Sequence, residues 1–403
     1  MPDKVEPIRP KGVDPKAPEK LARLIEVFRY WLSIPDAGAI LAALSTVIAN
    51  RMEGDPVWLL LVGAPGCGKT EILRSLDAIP GVHAVSTITE AGLLSATPQR
   101  FRTASASGGI LCQVGESGVV SLKDFGTILS MKQEAQSQIL AALREIYDGS
   151  WTRNVGVDGG KKLPWTGKLG LVGGVTPIID QHHPMMSALG ERFLFYRMPA
   201  RNDKETEDGV KAALRHTGEQ AEMRRTIKQA VSDWAESLRL PADRIELEID
   251  ETDLLAELAT FVVRARSVVE RDRYSKQIEL VLPPEEPHRM GEALSQLLSA
   301  MKAIGLSSED RSTLIGRVAF GSMPILRYRI IEFLADKLSE STKTIADAVE
   351  LPLETARRIL DDLRAQHVLV ADQQGAPFPT GWALNPWARE HCTRLPFTAK
   401  ISV

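Results

Sequence analysis

Residues 57–70, VWLLLVGAPGCGKT, constrain the fold of this chain more than any other stretch. The stretch begins with an apolar run, which is typical of one buried strand, and good helix formers follow at residues 71–76. Between them, GAPGCGKT matches the pattern G-x-x-x-x-G-K-[ST] without a gap. In a strand–loop–helix of this kind, backbone N–H groups and the helix N-terminus surround phosphate oxygens. The sequence therefore predicts a nucleoside triphosphate site, the alternative being an ordinary glycine turn.

Each part of this phosphate-binding loop, or P-loop, has an expected role. The Lys69 ammonium is expected to reach the β- and γ-phosphates of ATP, and the Thr70 hydroxyl is expected to ligate Mg²⁺. ATP and Mg²⁺ are thus the predicted cofactors. The residues expected to line the nucleotide are Gly63, Ala64, Pro65, Gly66, Cys67, Gly68, Lys69, Thr70 and Glu71.

An acidic residue ends a later strand pattern. Residues 118–124, GVVSLKD, are typical of a buried strand. The final carboxylate, Asp124, is expected to orient water bound to Mg²⁺ opposite Thr70. The alternative is a strand that ends in an ordinary surface aspartate.

The residue after Asp124 is Phe125, whereas ATPases of this type usually have a glutamate there to polarise the attacking water. Glu90, which follows a strand predicted at residues 82–89, and Glu116, which precedes the strand at residues 118–124, are candidate substitutes. Slow hydrolysis, or hydrolysis that needs a partner, is the remaining alternative.

Two more polar residues flank later strands. Residues 169–175 form an apolar strand pattern, and Thr176 follows it at the carboxyl edge of the sheet, where ligands sit in open α/β folds. Arg192 precedes the last strand, which is predicted at residues 193–198. It is either a structural arginine or one that crosses to the γ-phosphate of a neighbouring subunit. Strands that alternate with helices from residue 57 to residue 198 predict a parallel-sheet α/β domain.

A hairpin is predicted within this domain. Residues 151–157 and 163–168 flank a DGG turn, which puts Lys161 and Lys162 at the tip. Lysines in such a position either keep the surface soluble or contact the phosphate backbone of a nucleic acid.

Beyond residue 201 the sequence becomes charged and helical. Helices are predicted at residues 203–238, 254–271 and 291–304, and together they are expected to form a lid on the sheet domain. Arg289 opens the third helix. From there it either points back at the nucleotide or lies on the surface as an ordinary arginine.

Residues 323–386 are predicted to form a separate small unit of three helices followed by a hairpin, the pattern of a winged helix-turn-helix. Arg357 and Arg358 lie on its third helix, where DNA-binding proteins of this kind carry contacts. From residue 324 onward, ten Lys and Arg balance ten Asp and Glu. Because the unit is neutral overall, docking of a protein is the alternative to DNA binding.

The overall composition bounds the class of protein. The chain has 403 residues, a net charge of −3 and 44% hydrophobic residues, which argues against a strongly basic nucleic-acid protein. Its three cysteines, at positions 67, 112 and 392, form no disulfide framework or zinc spacing, so a reducing, cytoplasmic compartment is expected. We find no signal-peptide pattern and no apolar run of membrane-spanning length, and we expect no membrane partner. Residues 1–18, rich in proline and charge, are predicted to be a flexible arm. Two amphipathic helices are predicted to follow it, at residues 20–32 and 37–52.

Several segments within residues 57–304 resemble the AAA+ ATPases, in the branch that contains minichromosome-maintenance helicases and sigma-54 activator ATPases. ILAALREIYDGSWTRNVG resembles the helix and strand that open the pre-sensor hairpin of that branch. LGLVGGVTP resembles its sensor-1 strand, with a threonine where an asparagine is usual. LGERFLFYR is similar to the arginine-finger segment, and PHRMGEALSQLLSAM is similar to the lid helix that carries the sensor-2 arginine. The resemblance implies catalytic roles for Lys69, Asp124, Thr176, Arg192 and Arg289.

The combined expectation is an α/β protein with a parallel-sheet P-loop (AAA+) core at residues 19–200, an α-helical lid at 201–320 and a C-terminal winged-helix domain at 321–403. The resemblance implies a homo-oligomer, expected to be a ring, in which Mg²⁺-ATP hydrolysis drives a helicase-like or translocase-like action on DNA. The alternative is a nucleotide-dependent switch with weak hydrolysis that recruits a protein or DNA partner through the winged helix. The expected metal ligands are Thr70 and Asp124, and the expected DNA contacts are Lys161, Lys162, Arg357 and Arg358.

Overall fold

The centre of the fold is a parallel sheet. The computed structural model describes residues 13–34, 36–95, 108–156, 160–188, 192–241, 243–372 and 381–394. The first seven strands are β1 (Trp58–Val62), β2 (Val82–Val85), β3 (Ser117–Leu122), β4 (Ser150–Val155), β5 (Lys161–Thr166), β6 (Lys168–Val175) and β7 (Phe193–Arg197). Five of them pair in parallel in the order β2–β3–β6–β1–β7, whereas β4 and β5 form an antiparallel hairpin. The predicted parallel-sheet α/β core is confirmed.

Strand β1 is buried on both faces. Trp58, Leu60 and Val62 belong to one hydrophobic cluster, and the alternate residues Leu59 and Leu61 belong to the cluster on the other face. A strand in this position must be apolar throughout, which is why its sequence gives so clear a signal. Because all five strands run parallel, their carboxyl ends lie at the same edge of the sheet.

Helices cover both faces of this sheet. Up to residue 188 they are α1 (Ala17–Trp31), α2 (Gly38–Arg51), α3 (Lys69–Leu76), α4 (Glu90–Leu93), α5 (Ile110–Val114), α6 (Gly126–Leu129), α7 (Gln133–Tyr147) and α8 (His183–Ala188), with a 3-10 helix at Pro177–His182. Residues of α1, α2 and α3 contribute to the cluster on one face, and residues of α4 to α7 contribute to the other. Helix α1 begins at Ala17, which is fully buried, so the last two residues of the predicted arm are helical. Residues 1–12 of that arm lie outside the described residues.

The second half of the chain is mostly helical. Its elements are α9 (Asp203–Arg215), α10 (Gln220–Ser237), α11 (Ile249–Arg266), β8 (Val269–Arg271), β9 (Ile278–Val281), α12 (His288–Ala303), α13 (Ser308–Gly321), α14 (Ile325–Leu334), α15 (Thr342–Ala348), α16 (Leu353–Ala365), β10 (Leu369–Asp372), β11 (Gly381–Leu384) and α17 (Pro386–Arg394). The single helix predicted at residues 203–238 is wrong, because Gly218 takes a φ of +89° between α9 and α10. The helix predicted at residues 254–271 ends at Arg266, and an antiparallel hairpin of β8 and β9 follows.

Helix α2 differs most from its expected environment. Residues 37–52 predict an amphipathic helix, but every residue of α2 except Arg51 is buried. The reason is that α2 lies between the sheet and α12, where Gln296 donates hydrogen bonds to the carbonyl oxygens of Ala49 (3.0 Å) and Glu53 (2.7 Å). A helix covered on both sides has no polar face.

The C-terminal elements have the predicted order of three helices and a two-stranded antiparallel sheet, followed by α17, which the sequence pattern does not predict. Helix α17 packs against α11, with the rings of Trp387 and Phe261 stacked at 5.8 Å. Both residues lie in, or pack against, a single hydrophobic cluster that extends from Ala17 to Cys392. The domain boundaries at residues 200, 320 and 403 stay predictions.

None of the helices in the described part of the chain combines the length and the apolar composition that a bilayer crossing requires.

Candidate nucleotide-binding site

The loop between β1 and α3 has the backbone that the P-loop motif predicts. Gly66 and Gly68 take φ values of +79° and +98°, and Gly68 is the N-cap of α3, which begins at Lys69. A Cβ atom at either glycine would meet no atom within 4 Å, so glycine is required here by the backbone alone. The loop residues Ala64 and Pro65 are exposed, so the loop faces solvent at the carboxyl edge of the sheet.

Lys69 is folded over this loop. Its Nζ donates to the carbonyl oxygens of Gly63 (2.6 Å) and Ala64 (2.9 Å) and lies 3.5 Å from Cys67 Sγ. These partners are neutral groups of the loop itself. Because a phosphate oxygen adds the attraction of its negative charge to the hydrogen bond from the ammonium, it can replace these carbonyl partners.

Strand β6 joins the P-loop to the end of β3. The Gly63 N–H donates to Val175 O (3.1 Å), and the Phe125 N–H donates to Gly174 O (2.8 Å). A Cβ on Gly174 would lie 2.9 Å from Lys123 O and 3.1 Å from Leu73 Cδ1, so no side chain fits there. The close packing brings the segments that carry Lys69, Asp124 and Thr176 together at one edge of the sheet.

The predicted metal ligands are open to solvent. Thr70 and Asp124 are both exposed, and Asp124 Oδ1 accepts the Gly126 N–H at 2.8 Å. Within the described residues, Asp124 Oδ2 accepts no hydrogen bond. A hydroxyl and a carboxylate oxygen are the hard ligands that Mg²⁺ prefers, usually with several waters retained. The two residues therefore fit a Mg²⁺ ion that is also held by phosphate oxygens.

The position after Asp124 belongs to the hydrophobic core. Phe125 is fully buried and meets Phe193 at a ring-centroid distance of 5.2 Å. Of the two substitutes, Glu116 precedes β3 and so lies at the edge opposite Asp124, which excludes it as the base for this chain's own nucleotide. Glu90 follows β2 on the correct edge, where Arg153 of β4 pairs with it at 3.2 Å.

Arg192 lies at the amino edge of the sheet. It precedes β7, whose first residue pairs with Trp58, the first residue of β1. The five residues of β1 separate this edge from the P-loop by about 16 Å. Arg192 Nη2 bonds both carboxylate oxygens of Asp148 (2.9 and 2.8 Å), and the guanidinium lies 5.4 Å from the Tyr147 ring.

Arg289 lies at this amino edge as well. It lines a cavity of about 250 Å³ together with residues from three loops at the amino ends of the strands. Burial raises the pKa of Tyr147 to about 12, and both Arg289 and Arg192 act on its hydroxyl in the opposite direction. The lining residues are Gly54, Asp55, Pro56, Tyr147, Asp148, Gly149, Gly167, Lys168, Arg289 and Glu292. The structure thus groups the two arginines with each other and not with their own P-loop.

An arginine of α10 contacts helix α3, and the sequence pattern does not predict this contact. Arg224 of α10 donates from Nε and Nη2 to the two carboxylate oxygens of Glu71, at 3.1 and 3.0 Å, and Arg74 also donates to Glu71 (2.8 Å). One turn further along α10, Lys228 lies 3.8 Å from Asp77 at the other end of α3. The signal in the sequence is the spacing of these charges. Glu71, Arg74 and Asp77 are three residues apart, and Arg224 and Lys228 are four apart, so each set lies on one face of its helix.

The predicted DNA contacts are on the surface. Lys161 and Lys162 are exposed, but they belong to β5, opposite Val155 and Asn154, and are not at the hairpin tip. Part of the turn, residues 157–159, lies outside the described residues. On α16, Arg358 is exposed and Arg357 donates to Glu354 at 2.9 Å.

The comparisons with known proteins are weak. No family model matches the sequence, and no curated protein matches it. Among solved structures, the A form apo structure of the NrS-1 C-terminal region is 11% identical with a TM-score of 0.24, over 66% of this chain and 58% of that chain. The S. cerevisiae Hsp104–ADP complex is 14% identical with a TM-score of 0.26, over 81% of this chain and 47% of that chain. This chain thus spans less than two thirds of either structure, and the likeness carries no argument about its function. An α/β architecture with a five-stranded parallel sheet is established by the structure itself.

Proposed function

We propose that this chain is a Mg²⁺-dependent ATPase. The observation that carries the proposal is the loop of residues 63–70, whose two glycines with positive φ precede a helix that begins at Lys69. Asp124 and Thr176 follow neighbouring strands at the same edge. Backbone N–H groups, one cation and one carboxylate at the end of a sheet are the parts that phosphoryl transfer from ATP requires.

The residues have separate tasks in this proposal. Lys69 exchanges its carbonyl partners for the β- and γ-phosphates, and Thr70 and Asp124 hold Mg²⁺. When bound, the metal ion neutralises charge on the phosphate oxygens. Thr176, half-buried next to the loop, is the polar residue that senses the γ-phosphate.

We further propose that the chain assembles as a ring. Arg192 and Arg289 lie at the edge opposite the P-loop and so away from this chain's own nucleotide, and in this proposal they act on the nucleotide of another copy. The cavity that Arg289 lines is then part of the contact between copies. This arrangement makes each active site depend on two subunits.

The proposed partner in the cytoplasm is DNA, on which the ring acts as a helicase-like or translocase-like motor. Two features support this choice. The β4–β5 hairpin carries the exposed Lys161 and Lys162, which suit contacts with phosphates. The three helices and hairpin of the C-terminal unit have the order of a winged helix, with Arg357 and Arg358 on its third helix.

The first test is binding of Mg²⁺-ATP. At a ligand concentration of 100 Kd, binding stabilises the folded state by about 2.7 kcal/mol, which raises the melting temperature by several degrees. We expect this shift for the wild type and none for Lys69→Ala, with the two proteins equally stable without nucleotide. A wild type that does not respond to saturating Mg²⁺-ATP refutes the proposal.

The second test is complementation between subunits. Lys69→Ala removes the nucleotide site and leaves Arg192, whereas Arg192→Ala does the reverse. If the arginine acts on a neighbour, a mixture of the two inactive variants regains part of the wild-type turnover. No recovery in a mixed assembly whose size equals that of the wild type excludes the shared site.

A nucleotide-dependent switch with weak hydrolysis is the second candidate. It is favoured by Phe125, whose burial leaves no carboxylate directly after Asp124, and by Glu90, which is already paired with Arg153. Sizing the protein with ATP, with ADP and without nucleotide, beside a turnover assay with DNA, separates the two. Fast DNA-stimulated turnover rejects the switch, and a ring with negligible turnover rejects the motor.

A further inference from the structure

The β8–β9 hairpin ends in a tight turn whose side chains face solvent. Asp272 Oδ1 accepts the backbone N–H groups of Tyr274 (3.1 Å) and Ser275 (2.6 Å), and the Lys276 N–H donates to Asp272 O (3.0 Å). Lys276 takes a φ of +60° to close the turn. The turn is therefore ordered by hydrogen bonds from its own backbone N–H groups to the side chain and the carbonyl oxygen of Asp272. The Tyr274 side chain, 89% exposed, takes no part in them.

This hairpin is fixed onto helix α16. Arg271 Nε and Nη2 donate to Asp362 Oδ1 (3.0 and 2.6 Å), and Nη2 also donates to Arg358 O (2.8 Å). Gln366 Nε2 donates to the carbonyl oxygens immediately before β8 and immediately after β9, at 3.3 and 3.1 Å. Because both ends of the hairpin are tied to the helix, its tip stays close to Arg358.

The acids and the cations at this junction differ in how they are paired. Every carboxylate of α16 is paired with an arginine, the pairs being Glu354–Arg357, Asp361–Arg364 and Asp362–Arg271. Arg273, Lys276 and Arg358 are exposed and form no ion pair with any residue that the structure describes. The strands also carry two exposed acids, Glu270 in β8 and Glu279 in β9, and the pairing of the strands is irregular between Glu270 and Arg271. The tip of the hairpin and the adjoining Arg358 together supply three exposed cations and one exposed aromatic ring.

We propose that Arg273, Tyr274, Lys276 and Arg358, here called the hairpin–helix surface, bind single-stranded nucleic acid. Tyr274 stacks on an unpaired base, and the three cations contact phosphates. Stacking needs a base that is free of its partner strand, and cations on the same turn and on the adjoining helix suit contacts with the backbone next to that base. This inference extends the proposed action on DNA by naming the strand form and the residues, and it requires no ATP hydrolysis.

The test measures binding of a fluorescent oligothymidylate to the full chain, without nucleotide, by anisotropy. We expect Tyr274→Ala to weaken binding about tenfold and Tyr274→Phe to retain it, because phenylalanine also stacks. The triple variant Arg273→Gln, Lys276→Gln and Arg358→Gln is expected to lower the slope of log K against log salt by about 2, since each lost phosphate contact removes about 0.7. Tyr30→Ala, at a tyrosine that is 68% exposed on α1, and Arg225→Gln on α10 are the matched controls and should change neither quantity.

The other outcomes are informative. If Tyr274→Ala and the triple variant bind like the wild type while Lys161→Ala with Lys162→Ala loses binding, the hairpin–helix surface is refuted and the proposed action on DNA stands. A wild type that binds neither single-stranded nor double-stranded DNA refutes both. Preference for a labelled acidic peptide over the oligonucleotide, lost in the same variants, overturns the inference in favour of a protein partner.

Discussion

Arg192 and Asp148 form a bidentate ion pair in which the cation is buried and the anion is not. The Arg192 side chain is 6% exposed and the Asp148 side chain is 54% exposed. A neighbouring molecule at this edge therefore meets the carboxylate before the guanidinium. To act on a phosphate in another copy, Arg192 has to leave Asp148 or to share it.

Asp148→Asn tests how strongly the pair holds Arg192. The variant leaves a buried guanidinium with weaker acceptors, so we expect a loss of about 2 kcal/mol in the free energy of unfolding. Urea denaturation at pH 7 measures it. Asp208→Asn, which removes an exposed acid 4.0 Å from Lys211, serves as the control and should cost less than about 0.5 kcal/mol. Equal small losses for the two variants would contradict a structural role for the pair.

Arg224→Gln tests the contact between α10 and α3. Glu71 places a negative charge in the first turn of α3, and Arg224 helps to cancel it. We expect the variant to weaken Mg²⁺-ATP binding about fivefold, corresponding to about 1 kcal/mol. Calorimetric titration is the measurement. Lys228→Gln, one turn away, should leave affinity unchanged, and adding Glu71→Gln to Arg224→Gln should restore it. Loss of affinity without that rescue would mean that Arg224 acts by another route.

Phe125→Glu tests whether the missing glutamate can be supplied. Since Phe125 is fully buried against Phe193, the substitution removes aromatic packing and buries a carboxylate, and we expect a loss of about 4 kcal/mol or more. Phe125→Leu, which keeps an apolar side chain, should cost clearly less. Thermal unfolding measures both. A stable Phe125→Glu variant with faster ATP turnover would show that the position can serve the reaction after all.

Glu251→Gln tests a buried carboxylate between two cations. Burial alone would raise the pKa of Glu251, but hydrogen bonds from Lys302 (2.5 Å) and from its own helix cap, with Arg311 nearby, hold that pKa below its ordinary value of 4.5. A lowered folded pKa gives stability that is present above pH 4.5 and is lost as pH falls through the folded value. We therefore expect the variant to lose about 3 kcal/mol at pH 7, because the buried Lys302 loses its partner charge, and to lose less near pH 3. Denaturant titrations at the two pH values measure this. An equal loss at both would exclude a charge effect.

Lys168→Met tests the cost in stability of keeping a charged lysine in a partly buried position. Burial lowers the pKa of Lys168 from 10.5 to about 8, although Asp55 acts in the opposite direction. Because the unfolded chain binds the proton more tightly, wild-type stability should rise between pH 8 and pH 10.5, and the charged lysine costs stability below pH 8. The methionine variant should lose this rise. Melting temperatures from pH 7 to pH 10.5 check the prediction, with Lys161→Met, an exposed lysine on the neighbouring hairpin, as the control.

The elements that the sequence predicts best are those whose residue types are set by one local requirement. Strand β1 must be apolar on both faces, and Gly66 and Gly68 must be glycine, so both can be read from the chain without tertiary information. The location of Asp124 and Thr176 at the carboxyl edge can also be predicted, because each lies within two residues of the end of an apolar strand, while their roles in the site stay predictions.

The features that the sequence does not reveal depend on packing between distant segments. Helix α2 has no polar face because α12 covers the side that points away from the sheet. The sequence of residues 37–52 gives no sign of that contact. Arg289 lies at the amino edge because of the direction in which α12 packs on α2. The hydrophobic pattern of a helix does not show in which direction the helix packs on its neighbour. The β8–β9 hairpin is stabilised by α16, nearly 90 residues further along, as the Arg271–Arg358 contact demonstrates.

The hydrophobic cluster that runs from Ala17 to Cys392 has a consequence for how the molecule melts. Because helices from both ends of the chain share one interior with the sheet, disrupting any of them exposes the others to water. Heating should therefore give a single cooperative transition, with equal calorimetric and van't Hoff enthalpies. Limited proteolysis should yield no C-terminal fragment that keeps its helical circular dichroism on its own.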